Sequence, residues 1–152
     1  MRCFIGTFLP SKIQTLIHDR RPSLQQVRWT RPERYHITLR FYADLSAEKL
    51  PVAIDKAIRF SSAFPLDGVA TQMDGFPSRN RARVVIVRVD THGLLEAVVD
   101  DEGFQPHVTI GYARQRSVKV PALEMGIEFR LDGVCLVESI QGRYRIVSQH
   151  NP

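Results

Sequence analysis

Hydrophobic and polar residues alternate along residues 35–41, YHITLRF. Side chains two positions apart on a β-strand point to the same side of the sheet. The odd-numbered residues therefore form an apolar row suited to a core, and His36, Thr38 and Arg40 form the opposite row. The pattern predicts a half-buried strand with one face that is equipped for chemistry.

The same periodicity along the rest of the chain predicts more strands than helices. Strand patterns occupy residues 2–9, 35–41, 65–76, 82–90, 104–114, 126–140 and 143–149. Helical patterns occupy residues 11–21, 47–62 and 92–103. Several neighbouring strands are joined by turns too short for parallel crossovers, which favours an α+β fold with mainly antiparallel strands. No linker interrupts the chain, so we predict a single domain over residues 1–152 whose two halves meet at a cleft.

The second helix carries two local signals at its start. Ser46 stands in the position of an N-cap, directly before residues 47–62. Pro51 is compatible with a helix only within its first turn or so. Together they predict a helix that begins just after Ser46.

The charge of the chain points to an anionic partner. Its formal net charge is +5, with 17 Arg against 4 Lys. Arginine recognises phosphate in a planar, bidentate way, so the bias fits a phosphate-bearing ligand. Genome base composition is an equally good explanation of the same bias.

Composition also narrows the class and the compartment of the protein. A hydrophobic content of 43% and a charged content of 24% are typical of a globular protein. No apolar run approaches the roughly 18 residues of a membrane span, and the N-terminus lacks a convincing signal peptide. Cys3 and Cys135 lie in apolar runs, where a thiol acts as a small buried hydrophobe. We expect a reduced, cytoplasmic protein that contacts no membrane.

The polar row of the first strand recurs later in the chain. The tetrapeptides HITL (residues 36–39) and HVTI (residues 107–110) share the pattern His-apolar-Thr-apolar, and an aromatic residue stands at the second position after each. Two such matches are expected by chance on the order of once in a thousand chains of average composition. The pair is therefore a specific signal, whereas the three remaining histidines are expected to be ordinary surface or core residues (His18, His92 and His150).

Paired His and Thr side chains suit in-line attack at phosphorus without a metal. One neutral imidazole takes a proton from the nucleophile, and a protonated imidazole on the far side gives one to the leaving oxygen. Threonine hydroxyls can donate to the non-bridging phosphate oxygens. The predicted catalytic residues are thus His36, His107, Thr38 and Thr109. A zinc site is the other hypothesis, and it is disfavoured because neither motif holds a carboxylate or thiolate at ligand spacing.

At this point the chain resembles a known family over nearly its whole length. The similarity is to the two-histidine (2H) phosphoesterase superfamily, and its nearest branch resembles the bacterial RNA 2′,3′-cyclic phosphodiesterases, also called 2′-5′ RNA ligases. The segments that carry it are, in order, MRCFIGTFLP, RWTRPERYHITLRF, GFPSRNRARVVIVRV, FQPHVTIGYAR, VCLVES and YRIVSQ.

The resemblance implies a bilobal, pseudo-twofold fold with two mainly antiparallel sheets and outer helices around a central cleft. It implies metal-independent opening of a 2′,3′-cyclic phosphate at an RNA or oligonucleotide end to a 2′-phosphate, with no cofactor. His36 would give a proton to the departing 3′ oxygen, His107 would activate water, and Thr38 and Thr109 would hold the phosphate. The reverse reaction would form a 2′-5′ bond. We expect a monomer.

Two departures from the family pattern put the substrate in question. The segment between the hairpin and the second motif, HGLLEAVVDDEG, is shorter than in relatives. Relatives often carry Arg where Tyr112 stands here, and Arg114 follows two residues later. Arg114 is therefore a substrate-binding candidate, as is Arg40, which shares the predicted face of His36 and Thr38.

Other basic and aromatic residues are weaker candidates. Arg79, Arg81 and Arg83 form a basic hairpin tip that either steers RNA or is simply solvated. Trp29 and Phe76 either stack a base or pack in the core.

Two rival functions remain open. One is a 2H enzyme that acts on another cyclic nucleotide or phosphodiester, and a substrate panel would separate it. The other is a non-catalytic RNA or nucleotide binder that keeps the cleft. Intact His and Thr in both motifs weigh against the binder, because binding alone does not require two proton-transfer groups.

Overall fold

The computed structural model describes all 152 residues. Nine strands and three α-helices follow one another along the chain, with short 3₁₀ turns between some of them. They are β1 (Cys3–Phe8), α1 (Ser11–Arg20), β2 (Val27–Trp29), β3 (His36–Tyr42), α2 (Leu50–Ser61), β4 (Leu66–Phe76), β5 (Val84–Asp90), α3 (Leu94–Val98), β6 (His107–Ala113), β7 (Glu124–Leu131), β8 (Val134–Ile140) and β9 (Arg143–His150). The predicted α+β class is confirmed.

All strand pairings are antiparallel, and they form one sheet in the order β7-β4-β5-β6-β3-β1-β8-β9, with β2 added alongside β6. The sheet consists of two four-stranded halves, β7-β4-β5-β6 and β3-β1-β8-β9. A single residue pair between β3 and β6, Ile37 with Val108, joins them. The two sheets predicted from the resemblance are thus two halves of one sheet, and the strands with the two motifs are their inner edges.

Three details of the prediction were wrong. Residues 126–140 form two strands, because the chain turns at Asp132-Gly133 and sends β7 and β8 to different halves of the sheet. The three-residue strand β2 was not predicted, since a segment this short has no periodicity to detect. Ser46 makes no capping hydrogen bond, and a 3₁₀ turn over Ala47–Lys49 precedes α2. Pro51 does lie in the first turn of α2.

The apolar residues of both motifs are buried, as the alternation predicts. Ile37 and Val108 are fully buried where the two halves join, and Leu39 and Ile110 lie in the same core. Full burial of an aliphatic side chain of this size stabilises a fold by about 1.5–3 kcal/mol. These four side chains therefore anchor the polar residues between them on the opposite face.

The two longer helices pack against outer strands of the sheet. Helix α1 contacts β7, and α2 contacts β8 and β9. Ile17 of α1 and Ala57 of α2 are completely buried in the main core. None of the three α-helices has the length and apolar character needed to cross a membrane.

Candidate active site

The two motifs lie side by side where β3 meets β6. Because Ile37 pairs with Val108 in antiparallel register, His36 lies across from Thr109 and Thr38 lies across from His107. All four polar side chains are half-buried, and directly opposed residues of antiparallel strands have Cβ atoms about 4.5–5.5 Å apart. We call these four residues the His/Thr quartet. The sequence predicted its members, and the fold brings them together.

Both histidines are held by the same backbone contact. Nδ1 of His36 lies 2.7 Å from the carbonyl oxygen of Arg34, and Nδ1 of His107 lies 2.7 Å from that of Gln105. A carbonyl oxygen only accepts, so Nδ1 carries the proton and donates it. In the neutral imidazole this leaves Nε2 unprotonated, as an acceptor. Each ring is thereby prepared to take up or release a proton at Nε2.

His36 is enclosed by aromatic rings. Its imidazole stacks on Phe4 with centroids 4.3 Å apart and planes 14° apart, and Tyr144 meets it edge-on at 5.8 Å. Nε2 lies 3.0 Å from Oγ1 of Thr38, whose hydroxyl donates when the ring is neutral. Burial, reinforced by the charge of His107, lowers the pKa of His36 from 6.5 to about 4.

Gly6 makes room for the imidazole of His36. Gly6 of β1 pairs with Thr38 of β3. A Cβ atom on Gly6 would lie 3.1 Å from Cδ2 of His36 and 3.0 Å from the carbonyl oxygen of Ile37. The position of the His36 ring therefore depends on having a glycine, with no side chain, at position 6.

His107 has a different neighbourhood. Phe76 meets its ring edge-on at 4.9 Å, and Arg88 pairs with it across β5 and β6. The guanidinium of Arg88 donates to Asp74 at 2.6 Å and to the side chain of Gln105 at 2.7 Å. Burial and the charge of Arg88 lower the pKa of His107, although its hydrogen bond to Gln105 opposes them. The sequence did not single out Arg88, because its neighbours come from distant segments.

A matched irregularity follows the threonine in each motif strand. Pairing of β1 with β3 passes from Ile5–Arg40 to Gly6–Thr38, so Leu39 has no partner. Pairing of β5 with β6 passes from Val85–Gly111 to Ile86–Thr109, so Ile110 has none. Each is a β-bulge, and a bulge re-aims the side chains that follow it. Strict alternation therefore ends at the threonine on both strands.

Because of the first bulge, Arg40 and Phe41 each lie on the face of the sheet that strict alternation predicts for the other. Phe41, predicted to be in the core, is 48% exposed and lines the cleft beside the quartet. Arg40 is not part of the cleft lining, and its guanidinium lies 5.6 Å from the ring of Tyr42. The expectation that Arg40 shares the face of His36 and Thr38 was wrong for this reason.

A cleft of about 620 Å³ opens beside the quartet, and three of the four quartet residues line it, whereas His107 does not. Among its lining residues are His36, Thr38 and Thr109, together with Trp29 and Tyr112. Four arginines but no carboxylate line it: Arg2, Arg28, Arg31 and Arg34. The cleft is therefore positively charged and suited to an anionic ligand.

The arginines of the cleft are not the ones that the sequence selected. Arg114 is exposed and outside the cleft lining, as are the three arginines of the hairpin tip. Arg34 instead donates to the carbonyl oxygen of Gly142 and lies 5.2 Å from the ring of Tyr144. Arg28 pairs with Tyr112 across β2 and β6. No group of three or more His, Cys, Asp or Glu side chains is placed to hold a metal ion.

Comparison with known proteins places the chain in a family. The profile of the family described as LigT like Phosphoesterase matches residues 9–86, just over half of the chain, which include the first motif. An RNA 2′,3′-cyclic phosphodiesterase of Thermus thermophilus is 23% identical, with 91% of this chain and 82% of that protein aligned.

Solved structures share the whole fold. The TT0787 protein of Thermus thermophilus superposes with a TM-score of 0.84 at 22% identity, covering 99% of this chain and 97% of that one. LigT of E. coli complexed with 3′-AMP superposes with a TM-score of 0.73 at 22% identity, with the same coverage. From the family match, we conclude that the chain belongs to the LigT-like phosphoesterases, a family of two-histidine phosphoesterases.

Proposed function

We propose that the protein opens the 2′,3′-cyclic phosphate at an RNA or oligonucleotide end and leaves a 2′-phosphate. The observation that carries this proposal is the His/Thr quartet at the β3–β6 junction, three of whose members, His36, Thr38 and Thr109, line a cleft that also holds four arginines. The relative named RNA 2′,3′-cyclic phosphodiesterase supports the reaction, and the complex of E. coli LigT with 3′-AMP supports a nucleotide as ligand.

Proton transfer in this reaction is divided between the two histidines. Water attacks phosphorus while the P–O3′ bond breaks; one imidazole takes the proton of the water at Nε2, and the other protonates O3′. Following the resemblance, His36 is the donor to O3′ and His107 is the acceptor. Because the roles exchange when the reaction runs backwards, the same pair serves formation of a 2′-5′ bond from a cyclic phosphate and a 5′-hydroxyl.

The donor role of His36 requires help from the substrate. Burial holds its pKa at about 4, so the ring is neutral at pH 7. A phosphate anion within hydrogen-bond distance favours the charged imidazolium and raises this pKa. The proton on His36 thus comes from solvent, and the negative charge of the substrate stabilises it there.

Threonines and arginines hold the phosphate in this proposal. The hydroxyls of Thr38 and Thr109 donate to non-bridging oxygens, where they oppose the charge that develops in the transition state. Arg28 and Arg34 line the cleft and are better placed for the RNA backbone than Arg40 or Arg114, which lie outside its lining.

Hydrolysis of a short RNA that ends in a 2′,3′-cyclic phosphate, with EDTA present, tests the proposal. We expect a 2′-phosphate product from the wild type and a loss of at least about 100-fold in His36→Ala and His107→Ala. His150→Ala is the matched control, since His150 is outside the quartet and its side chain bonds only to Ser148.

Three outcomes would overturn the proposal or part of it. Loss of wild-type activity on chelation would reject the metal-independent mechanism. Absence of turnover with retained RNA binding would favour a binding function, and turnover of a different phosphodiester in a substrate panel would redirect the proposal to that substrate.

A further inference from the structure

Exposed aromatic rings occur only in the cleft. The chain has 13 aromatic residues, and three of them are exposed: Phe41, Tyr112 and Tyr144. All three line the cleft. Tyr144 forms the wall around His36, whereas the other two belong to the motif strands. An exposed aromatic ring that lines a cationic cleft is typical of a surface that stacks nucleic acid bases.

Phe41 and Tyr112 occupy equivalent places in the internal repeat. Each stands three residues after the threonine of its motif. A bulge at the residue directly after the threonine, Leu39 or Ile110, precedes it. Phe41 is 48% exposed and Tyr112 is 43% exposed. The repeat therefore extends from His-x-Thr to His-x-Thr-x-x-aromatic, with the bulge as part of it.

An arginine covers each of the two rings. The guanidinium carbon of Arg2 lies 4.8 Å from the ring centroid of Phe41, and that of Arg28 lies 5.7 Å from the centroid of Tyr112. Both arginines line the cleft. Each ring with its arginine offers a stacking surface for a base and a cation for the adjoining phosphate.

The two rings lie at opposite ends of the quartet. Strands β3 and β6 are antiparallel, so the residues that follow Thr38 and Thr109 run in opposite directions from the Ile37–Val108 pair. Phosphorus bound at the quartet is therefore flanked by one ring on each side. In-line displacement likewise places the entering and leaving oxygens on opposite sides of phosphorus.

From this geometry we propose that the cleft binds two nucleosides at once, one on the Phe41 ring and one on the Tyr112 ring, with the phosphodiester that joins them at the quartet. This rests on the proposed function for its ligand class and deepens it. The ligand is a dinucleoside monophosphate, or the cyclic-phosphate end of one strand together with the 5′ end of another.

Equilibrium binding of two matched ligands tests the two-nucleoside site. The first is 3′-deoxyadenylyl-(2′→5′)-adenosine, and the second is 3′-deoxyadenosine 2′-(methyl phosphate), a diester of equal charge without the second nucleoside. Neither carries the 3′-hydroxyl that could attack phosphorus and cleave the ligand. We expect the dinucleotide to bind about tenfold more tightly to the wild type, which is the contribution of one stacked base.

Variants then assign the rings. We expect one of Phe41→Ala and Tyr112→Ala to weaken both ligands about tenfold, and the other to weaken only the dinucleotide. Ile146→Ala, which removes a 54%-exposed side chain from β9, should change neither. Equal affinity of the wild type for the two ligands, or unchanged affinities in both ring variants, would overturn the two-nucleoside site.

The binding result separates this inference from the proposed function. A protein that hydrolyses the cyclic phosphate but binds both diesters equally has the proposed activity without the two-nucleoside site. A protein that prefers the dinucleotide, and loses that preference in one of the two ring variants, but hydrolyses no cyclic phosphate has the site without the activity.

Discussion

Ile37 faces Val108 across the centre of the sheet, and this pair joins its two halves directly beneath the His/Thr quartet. Both side chains are completely buried. A residue at this point supports the core and the register of the two motif strands together. Its packing is therefore tied to the geometry of the quartet more directly than that of any outer-strand residue.

Shortening the side chain at this junction should destabilise the protein. Ile37→Val should lower the free energy of unfolding by about 0.5–1.5 kcal/mol, because it removes a buried methyl group. Ile146→Val is the matched control, since Ile146 is 54% exposed, and it should change stability by less than about 0.5 kcal/mol. Urea denaturation of the two variants measures the difference. Equal stabilities would show that the junction is loosely packed.

Gly6→Ala should impair catalysis through His36. The added Cβ would lie 3.1 Å from Cδ2 of the imidazole and 3.0 Å from the carbonyl oxygen of Ile37, so these neighbours have to shift by a few tenths of an ångström. A misplacement on the order of 1 Å costs about 100-fold in rate, and we expect kcat/KM for cyclic phosphate hydrolysis to fall by a factor of about 10–100. Gly103→Ala is the control, because a Cβ there meets only Asp101 at 3.7 Å. Full activity of folded Gly6→Ala would argue against a fixed imidazole.

The pH profile follows from the lowered pKa values of the two histidines. The active pair carries one proton, so kcat/KM should be bell-shaped with limbs at the two apparent pKa values of the free pair. The acid limb is expected near pH 4, and the alkaline limb below 6.5, the usual value for histidine. The maximum should therefore lie between pH 4 and 6.5. A maximum above pH 7 would contradict the burial of these rings.

Arg88 should set the alkaline limb of that profile. Its positive charge lowers the pKa of His107, so Arg88→Gln should raise this pKa and move the alkaline limb to higher pH. Arg88→Lys keeps the charge and should restore the wild-type limb. Arg130→Gln, at an exposed ion pair with Asp67, should leave it in place. An unshifted limb in Arg88→Gln would assign Arg88 to structure alone.

Inorganic phosphate should raise the pKa of His36. The anion stabilises the imidazolium, so the midpoint of the His36 titration should move upwards from about 4 as phosphate saturates the cleft. Histidine NMR titrations with and without phosphate measure this shift, and His150 is the internal control outside the cleft lining. A His36 midpoint unchanged by bound phosphate would contradict its role as proton donor.

The sequence was sufficient to predict the quartet but not the cleft around it. His36, Thr38, His107 and Thr109 could be found because a two-residue period determines which side chains share a face. The two-residue period is broken by a bulge one residue after the threonine of each motif. The bulge that exposes Phe41 depends on how β3 pairs with β1, and nothing within residues 35–41 indicates that pairing.

The cationic side chains of the cleft show a second limit of prediction from the sequence. Arg2, Arg28 and Arg34 come from three segments separated along the chain, and only the sheet brings them to one cavity. Arg40 and Arg114 were selected because they are near the motifs in sequence, and both lie outside the cleft lining. The one feature of the sequence that could have identified residues of the cleft lining was the aromatic residue at the same offset in both copies of the repeat, Phe41 and Tyr112.

The central claim is that the two motif histidines act as one catalytic unit. Its most direct test is the rate of 2′,3′-cyclic phosphate hydrolysis, in the presence of EDTA, by the wild type, His36→Ala, His107→Ala and the double variant. Groups that act together are strongly non-additive, so the double variant should be about as slow as either single variant. Losses that multiply in the double variant, or a single variant that keeps wild-type activity, would contradict the claim.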